Sequence, residues 1–307
     1  MSKHAYLIVA NSNLSVVRTA LRLIDDIRND IYLLIDKKSR FTEDTLKLIS
    51  SDVRMSNLFI TNCFTVNWGG YSQIEATLKL LEMAISSGEM YEYFHFFQGS
   101  DLPIKTQDEI HSFFKNVSGQ EFINIDKGRC KMAQNKCWYY HLFCHNRFYR
   151  KNKLMKALNF FFVYIQKILH IKHNVDIELY QGSALFSITR KFAVYLLSKK
   201  EEIEKRFRYS LAADECFIQS MVMCSPFKDS IRDIDKQNSS NARLIDRTRP
   251  DGKNSPHVWR KEELNYLLKQ PVDICFARKF DEGVDKEIVE MIEAKLKINR
   301  SHYGKEI

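Results

Sequence analysis

The sequence predicts an α/β protein with a Rossmann-like, mainly parallel central sheet flanked by helices. Two observations carry most of that reading. Short apolar runs such as Tyr6 to Ala10 and Ile31 to Ile35 have the continuity of strands buried on both faces. Segments of helical period separate these runs, so strand and helix alternate at the spacing of βαβ units. A third is local: Thr106-Gln-Asp-Glu109 reads as a capping box that opens a helix.

Taken in order, Tyr6 to Ala10 is the first strand. Asn13 is placed to cap a helix carrying Leu14, Val17, Leu21, Ile24 and Ile27 on one face. Ile31 to Ile35 is the next strand and ends at Asp36. Leu58 to Ile60 follows as a strand, then a helix from Tyr71 to Ser87, a strand from Tyr93 to Phe97 and one from Phe122 to Ile125. In such sheets ligands bind beyond the carboxyl ends of the strands. Asp36 stands there, able to accept from a ribose hydroxyl or to serve as a turn residue beside two lysines. Gly99-Ser100-Asp101-Leu-Pro103 ends another strand with backbone donors, a hydroxyl and a carboxylate. Trp68-Gly69-Gly70-Tyr71-Ser72 gives a flexible backbone ahead of a helix N-terminus, where phosphate or sugar oxygens are welcome. It is neither a dinucleotide fingerprint nor a P-loop.

The middle of the chain is unusual. Cys130, Cys137, His141, Cys144 and His145 lie close together, but their spacing is not that of a zinc site, and packing is the better reading. Residues 151–172 carry a wide apolar stripe through Leu154, Leu158, Phe161, Phe162, Ile165, Ile168 and Leu169, with lysines near both ends. Such a stripe most often packs on the rest of the protein. The alternative is a helix lying on an anionic membrane or meeting a lipid-linked acceptor. Further on, an apolar run from Ala184 to Ile188 precedes a helix, and Ala212-Ala213-Asp214-Glu215 opens another. Residues from Arg243 to Pro256 form a charged loop suited to a flap. Val284 to Ile298 is an amphipathic helix.

Across nearly the whole chain, seven motifs resemble one family in its own order. They begin with Ala5-Tyr-Leu-Ile-Val-Ala10, Ile35-Asp36-Lys37-Lys38-Ser39 and Val66-Asn-Trp-Gly-Gly-Tyr-Ser72. Phe97-Gln-Gly-Ser-Asp-Leu-Pro-Ile-Lys105 follows, then Gly182-Ser183 with Ile188-Thr189-Arg190. Asp214-Glu215 and Phe276-Ala-Arg-Lys-Phe280 complete the set. The family is that of the core-2/I-branching β-1,6-N-acetylglucosaminyltransferases and peptide O-xylosyltransferases, glycosyltransferase family 14. The wording is nearest to its bacterial branch, which lacks the membrane anchor of the Golgi enzymes.

The resemblance implies a GT-A-type fold in a single domain over 1–307, with a nucleotide-sugar half (1–126) and an acceptor half (127–307). It implies inverting transfer of N-acetylglucosamine or xylose from a UDP-sugar to a glycan or glycoconjugate acceptor, with surface polysaccharide as the expected setting. Glu215 falls on the family's catalytic base. Read without the family, an acid in a first helical turn serves the macrodipole, with Asp214 as a cap. Asp36, Ser100 and Asp101 would hold the donor. Arg278-Lys279 would neutralise the leaving diphosphate in place of a metal, so no metal or other cofactor is expected. Either His257 or Arg260 would be the second arm of that clamp. Trp68, Tyr71, Gly182, Ser183 and Asp214 would hold the acceptor. The only Asp-x-Asp, Asp233-Ile-Asp235, lacks a sheet position and reads as loop.

A net charge of +9 suits phosphate-bearing partners, among them UDP-sugars, anionic lipid and nucleic acid. A glycan-binding relative without activity, or a nucleic-acid-binding protein, is the alternative function. Against the second, the basic residues are spread along the chain and no nucleic-acid-binding signature occurs. The seven scattered cysteines, and an apolar run after Met1 too short for a secretory core, make a cytoplasmic location the expectation. Contact of 151–172 with lipid would place the protein at the inner face of the membrane.

Overall fold

The computed structural model describes residues 2–39, 41–236, 240–249, 251 and 255–303. In chain order, the first half runs β1 (Lys3–Ala10), α1 (Leu14–Ile24), β2 (Asn29–Ile35), α2 (Glu43–Ser51), β3 (Asn57–Thr61) and α3 (Ser72–Ser86). β4 (Tyr91–Gln98), β5 (Asp101–Pro103), α4 (Gln107–Asn116) and β6 (Phe122–Ile123) complete it. The second half holds α5 (Cys130–Cys137), α6 (Lys153–Ile168), β7 (Phe186–Thr189), α7 (Arg190–Ser198), α8 (Lys200–Phe207) and α9 (Phe217–Met223). It ends with β8 (Arg243–Ile245), α10 (Leu264–Leu268), β9 (Phe276–Arg278) and α11 (Glu287–Tyr303).

The central sheet has the order β3-β2-β1-β4-β7-β6. β1, β2, β3 and β4 are parallel to one another, and each is buried as the uninterrupted apolar runs require, save the half-covered edge strand β3. The α/β class with a mainly parallel sheet is therefore what the molecule has. β7 and β6 depart from it, both pairing antiparallel, and β6 is only two residues long. An apolar run does not carry a direction, so this could not be read from composition. β7 enters the sheet between β4 and β6, so one sheet draws on both halves of the chain.

Apolar packing closes both faces. Leu78, Leu81, Phe94, Phe192 and Phe217 fill one side, and Leu21, Phe97, Phe114 and Phe122 the other. A smaller sheet, β5-β9-β8, leans on the second side with α11 over it. Arg243 joins the two sheets. Fully buried, it donates from Nη2 to the carbonyls of Phe96 and Phe186 and from Nη1 to that of Asn241. The charged loop expected from Arg243 thus begins as a strand, and its residues 250 and 252–254 lie outside those described.

Chain reversal puts the site where it is. From β1 the chain goes outward to β2 and β3, then returns to lay β4 on the other side of β1. The crevice beyond the carboxyl ends of β1 and β4 is the switch point, where ligands of such sheets bind. Asn11, Asp36, Gly99 and Ser100 stand at its rim.

Candidate active site

One trough runs from this switch point across the molecule. Its first part, about 240 Å³, is lined by Asn11, Asp36, Gln98, Ser100, Arg150 and Arg278. It shares Trp68, Gln73, Gln98, Arg150 and Arg278 with a second part of about 570 Å³, which reaches Ser183, Asp214, Glu215 and Lys279. Together they have the size of a small-molecule cleft.

The switch-point end is built by strand termini. Asp36 is buried at the end of β2, where its Oδ1 accepts from the backbone N–H of Lys38 and its Oδ2 lies 3.5 Å from Lys38 Nζ. It serves the turn and still lines the trough. Ser100 accepts at Oγ from Asn13 Nδ2 over 3.1 Å. Asn13 thus does not cap α1 as expected; it adopts the left-handed region at φ 55°, and the helix start is met by Glu282, which accepts from Ser15 N at 2.7 Å. Asp101 is buried, with Oδ1 held 2.7 Å from Arg278 Nη1 and Oδ2 accepting from Gln98 N. It aims the guanidinium rather than lining the cleft.

Glu215 sits in a single tight turn, Ala213–Glu215, ahead of α9, and not in the helix itself as expected. Its Oε2 accepts from Lys136 Nζ at 2.7 Å and from Gln181 Nε2 at 3.2 Å. Oε1 has no hydrogen-bond partner among the described residues and is the oxygen left for the cleft. Gly182 sets the position of this turn, donating its N–H to the Glu215 carbonyl at 2.9 Å. A Cβ at Gly182 would lie 1.8 Å from the Asn124 carbonyl oxygen, closer than any real contact. Gly182→Ala is therefore expected to cost about 3 kcal/mol or more, because backbone has to move. A urea midpoint equal to that of the parent would show the close approach to be absent.

Asp214 is not a cap; its Oδ2 accepts from Gln73 Nε2 at 2.8 Å, while Gln73 Oε1 accepts from Gly69 N. That bridge ties the Trp68 loop to the Glu215 turn. Enclosure first, and the charge of Glu215 second, push the Asp214 carboxyl up to about 7. The sign follows from linkage. Folding takes up a proton here between the ordinary Asp value and about 7, and the stability so gained is lost as pH rises through 7. Asp214→Asn is expected to gain stability over the parent on going from pH 5 to pH 8, by about 1–2 kcal/mol for a partly solvated carboxyl. Urea titrations of both proteins at the two pH values check it.

Three expected contacts are corrected. His257 is buried between Asp251 and Glu263, at 3.1 and 2.7 Å, and Arg260 is held by Asp251 at 2.9 Å. Both are engaged by nearby acids and neither lines the trough. Tyr71 lines a separate cavity with Lys200, Glu204 and Arg208, because the positive φ at Gly69 turns the chain between Trp68 and Tyr71. Trp68 does face the trough, with the Arg150 guanidinium 5.3 Å from its ring. The basic residues that line the trough beside Arg278 and Lys279 include Arg150 and Arg247, which no motif singled out. Asp233 and Asp235 pair with Lys236 and Lys127 away from it.

Comparison with known proteins follows the same lines. Residues 4–265 match the family model described as Core-2/I-Branching enzyme. The beta-1,3-galactosyl-O-glycosyl-glycoprotein beta-1,6-N-acetylglucosaminyltransferase 4 of Danio rerio is 24% identical over 95% of this chain and 69% of its own length. Xylosyltransferase 2 of Rattus norvegicus is 22% identical over 95% of this chain, which spans only 33% of that protein. Among solved structures, mouse xyloside xylosyltransferase 1 in its apo form is similar with a TM-score of 0.35 and 12% identity, over 74% of this chain and 83% of that one.

Proposed function

The chain belongs to the Core-2/I-Branching enzyme family of glycosyltransferases, and from that premise we propose inverting transfer of N-acetylglucosamine or xylose from a UDP-sugar to a glycan or glycoconjugate. The observation that carries the reading is the single trough joining Asp36 and Ser100 to Glu215 past Arg278. Uridine and ribose would occupy the switch-point end. The diphosphate would lie along Arg150, Arg278 and Lys279, and the transferred sugar would reach toward Glu215.

In the reaction so proposed, the acceptor hydroxyl oxygen forms a bond to the anomeric carbon from the face opposite UDP. The bond from that carbon to the phosphate oxygen breaks, and its electron pair leaves with UDP. The hydroxyl proton passes to Glu215 Oε1. Lys136 holds the other carboxylate oxygen, fixing the base without occupying the oxygen that works. The growing charge on UDP meets guanidinium and ammonium groups already in place.

A metal-free mechanism fits this set of side chains. A divalent cation asks for carboxylates facing the diphosphate, and the one acid of the Gly99-Ser100-Asp101 turn is buried against Arg278. The bacterial wording of the motifs supports surface polysaccharide as the setting. The test is UDP release with a panel of UDP-sugars and glycan acceptors, with and without EDTA. Acceptor-dependent release that EDTA leaves unchanged is the expected result. No release with any UDP-sugar would favour a glycan-binding relative, and abolition by EDTA would defeat the metal-free step.

A further inference from the structure

α6 is mounted with its apolar side outward. The helix is fixed to the body by polar groups: Asn159 Nδ2 bonds His141 Nδ1 at 2.9 Å, and Gln166 bonds both backbone groups of Tyr140 at 2.8 and 3.0 Å. Asn159 and Gln166 are its buried residues, with Met155, Phe162, Val163 and Ile165 half-buried. Most of the stripe expected to pack does not: Phe162 and Ile165 are half-buried, but Leu154 is 68% exposed, Phe161 61% and Ile168 59%, with Phe160 beside them at 74%. Leu169 and Ile171 prolong the exposed face. Apolar side chains gathered so densely on one outward face mark a surface that meets something.

The charge around that face points to the partner. From residue 127 to residue 175 the chain has eleven lysines and arginines and no aspartate or glutamate. Lys153, Lys156 and Lys167 are exposed and, by helical spacing, run along one flank of the apolar stripe. An apolar face bordered by lysines is the pattern of a helix lying in the interface of an anionic bilayer, with Phe, Leu and Ile among the acyl chains and lysines at the phosphates. A protein partner of ordinary composition would have to match this basic flank as well. No helix among the described residues is long and apolar enough to cross a membrane, so the contact is peripheral.

We propose that α6 and the residues to Ile171 dock this protein on an anionic lipid surface. Lys156 lies on the flank of the helix and also lines the trough, so docking sets the mouth of the trough close to the headgroups. The proposal concerns binding alone and stands or falls whether or not the trough transfers sugar.

Flotation of the full chain with vesicles tests it. Binding is expected to phosphatidylglycerol–phosphatidylcholine vesicles at low salt, falling as salt rises, and not to phosphatidylcholine alone. Phe160→Ser/Phe161→Ser and, separately, Lys153→Gln/Lys167→Gln should each weaken binding about tenfold or more. Both pairs are exposed, so thermal unfolding should stay near that of the parent. Leu154→Trp gives a second readout in an otherwise native face: its added fluorescence should be quenched by brominated phosphatidylglycerol. Absence of binding at low salt, equal binding to phosphatidylcholine, or an unquenched Trp at position 154 would overturn the proposal. So would a concentration-dependent dimer, seen by sedimentation, that Phe160→Ser/Phe161→Ser dissolves, since the face would then belong to a second copy.

Discussion

Glu215→Gln is expected to lower kcat for sugar transfer by about 10²–10⁴-fold while KM for the donor changes little. The substitution keeps the shape of the side chain and lets its amide oxygen accept from Lys136, but it removes the lone pair that, in the proposed reaction, takes the acceptor proton. The effect should therefore fall on the chemical step. Slow hydrolysis of the donor by water, which needs less help from a base, should suffer less than transfer. Full activity in the variant would remove Glu215 from the mechanism.

Asp214 is the competing base, and the two acids can be told apart. Its carboxyl is pushed up to about 7 by enclosure and by the charge of Glu215. It is also the one whose Oδ2 is engaged by Gln73, on the bridge that holds the Trp68 loop. Asp214→Asn keeps that hydrogen bond with the amide turned, so it should retain far more activity than Glu215→Gln. The reverse order of losses would transfer the role of base to Asp214.

Much of the fold was legible because buried parallel strands are continuous apolar runs, and β1, β2 and β4 lie where those runs lie. The capping box at Thr106 and Glu109 formed as read, since both of its bonds are local. What depended on distant parts of the chain was not legible. The start of α1 is met by Glu282, far along the chain, so Asn13 had no need to cap it. His257 and Arg260 had their partners nearby, and Asp251 and Glu263 were the sign that these side chains were already matched. Arg150 and Arg247 gave no such sign; an arginine in a basic stretch has nothing in its spacing to say that it faces a cleft. For α6 the period told that one face was apolar and not which way it pointed. Asn159 and Gln166, two amides opposite the stripe, were the residues that could have told it, because amides buried on a helix need partners in the body.

Arg278→Ala should lower kcat/KM by about 10²–10³-fold, the range found when one donor to a developing anion is removed. Two effects have to be separated. Arg278 is the partner of Asp101, whose carboxylate lies buried at the start of β5, so truncation leaves that charge unpaired and destabilises the turn. The second variant, Arg278→Ala with Asp101→Asn, removes the stranded charge and should recover stability, read as a urea midpoint nearer the parent. Activity should stay low in both, because neither returns a cation to the trough. If activity instead recovers with stability, the guanidinium serves the fold and the diphosphate is held elsewhere, with Arg150, Lys156, Arg247 and Lys279 the remaining cations among the described residues along the cleft. Leaving-group chemistry gives a further check. A donor whose departing group needs less charge stabilisation than UDP should lose less from the change, whereas a purely structural defect would slow all donors alike. Inhibition by UDP carries the same information at equilibrium: its binding should weaken in the double variant if Arg278 touches the diphosphate, and stay as in the parent if it does not.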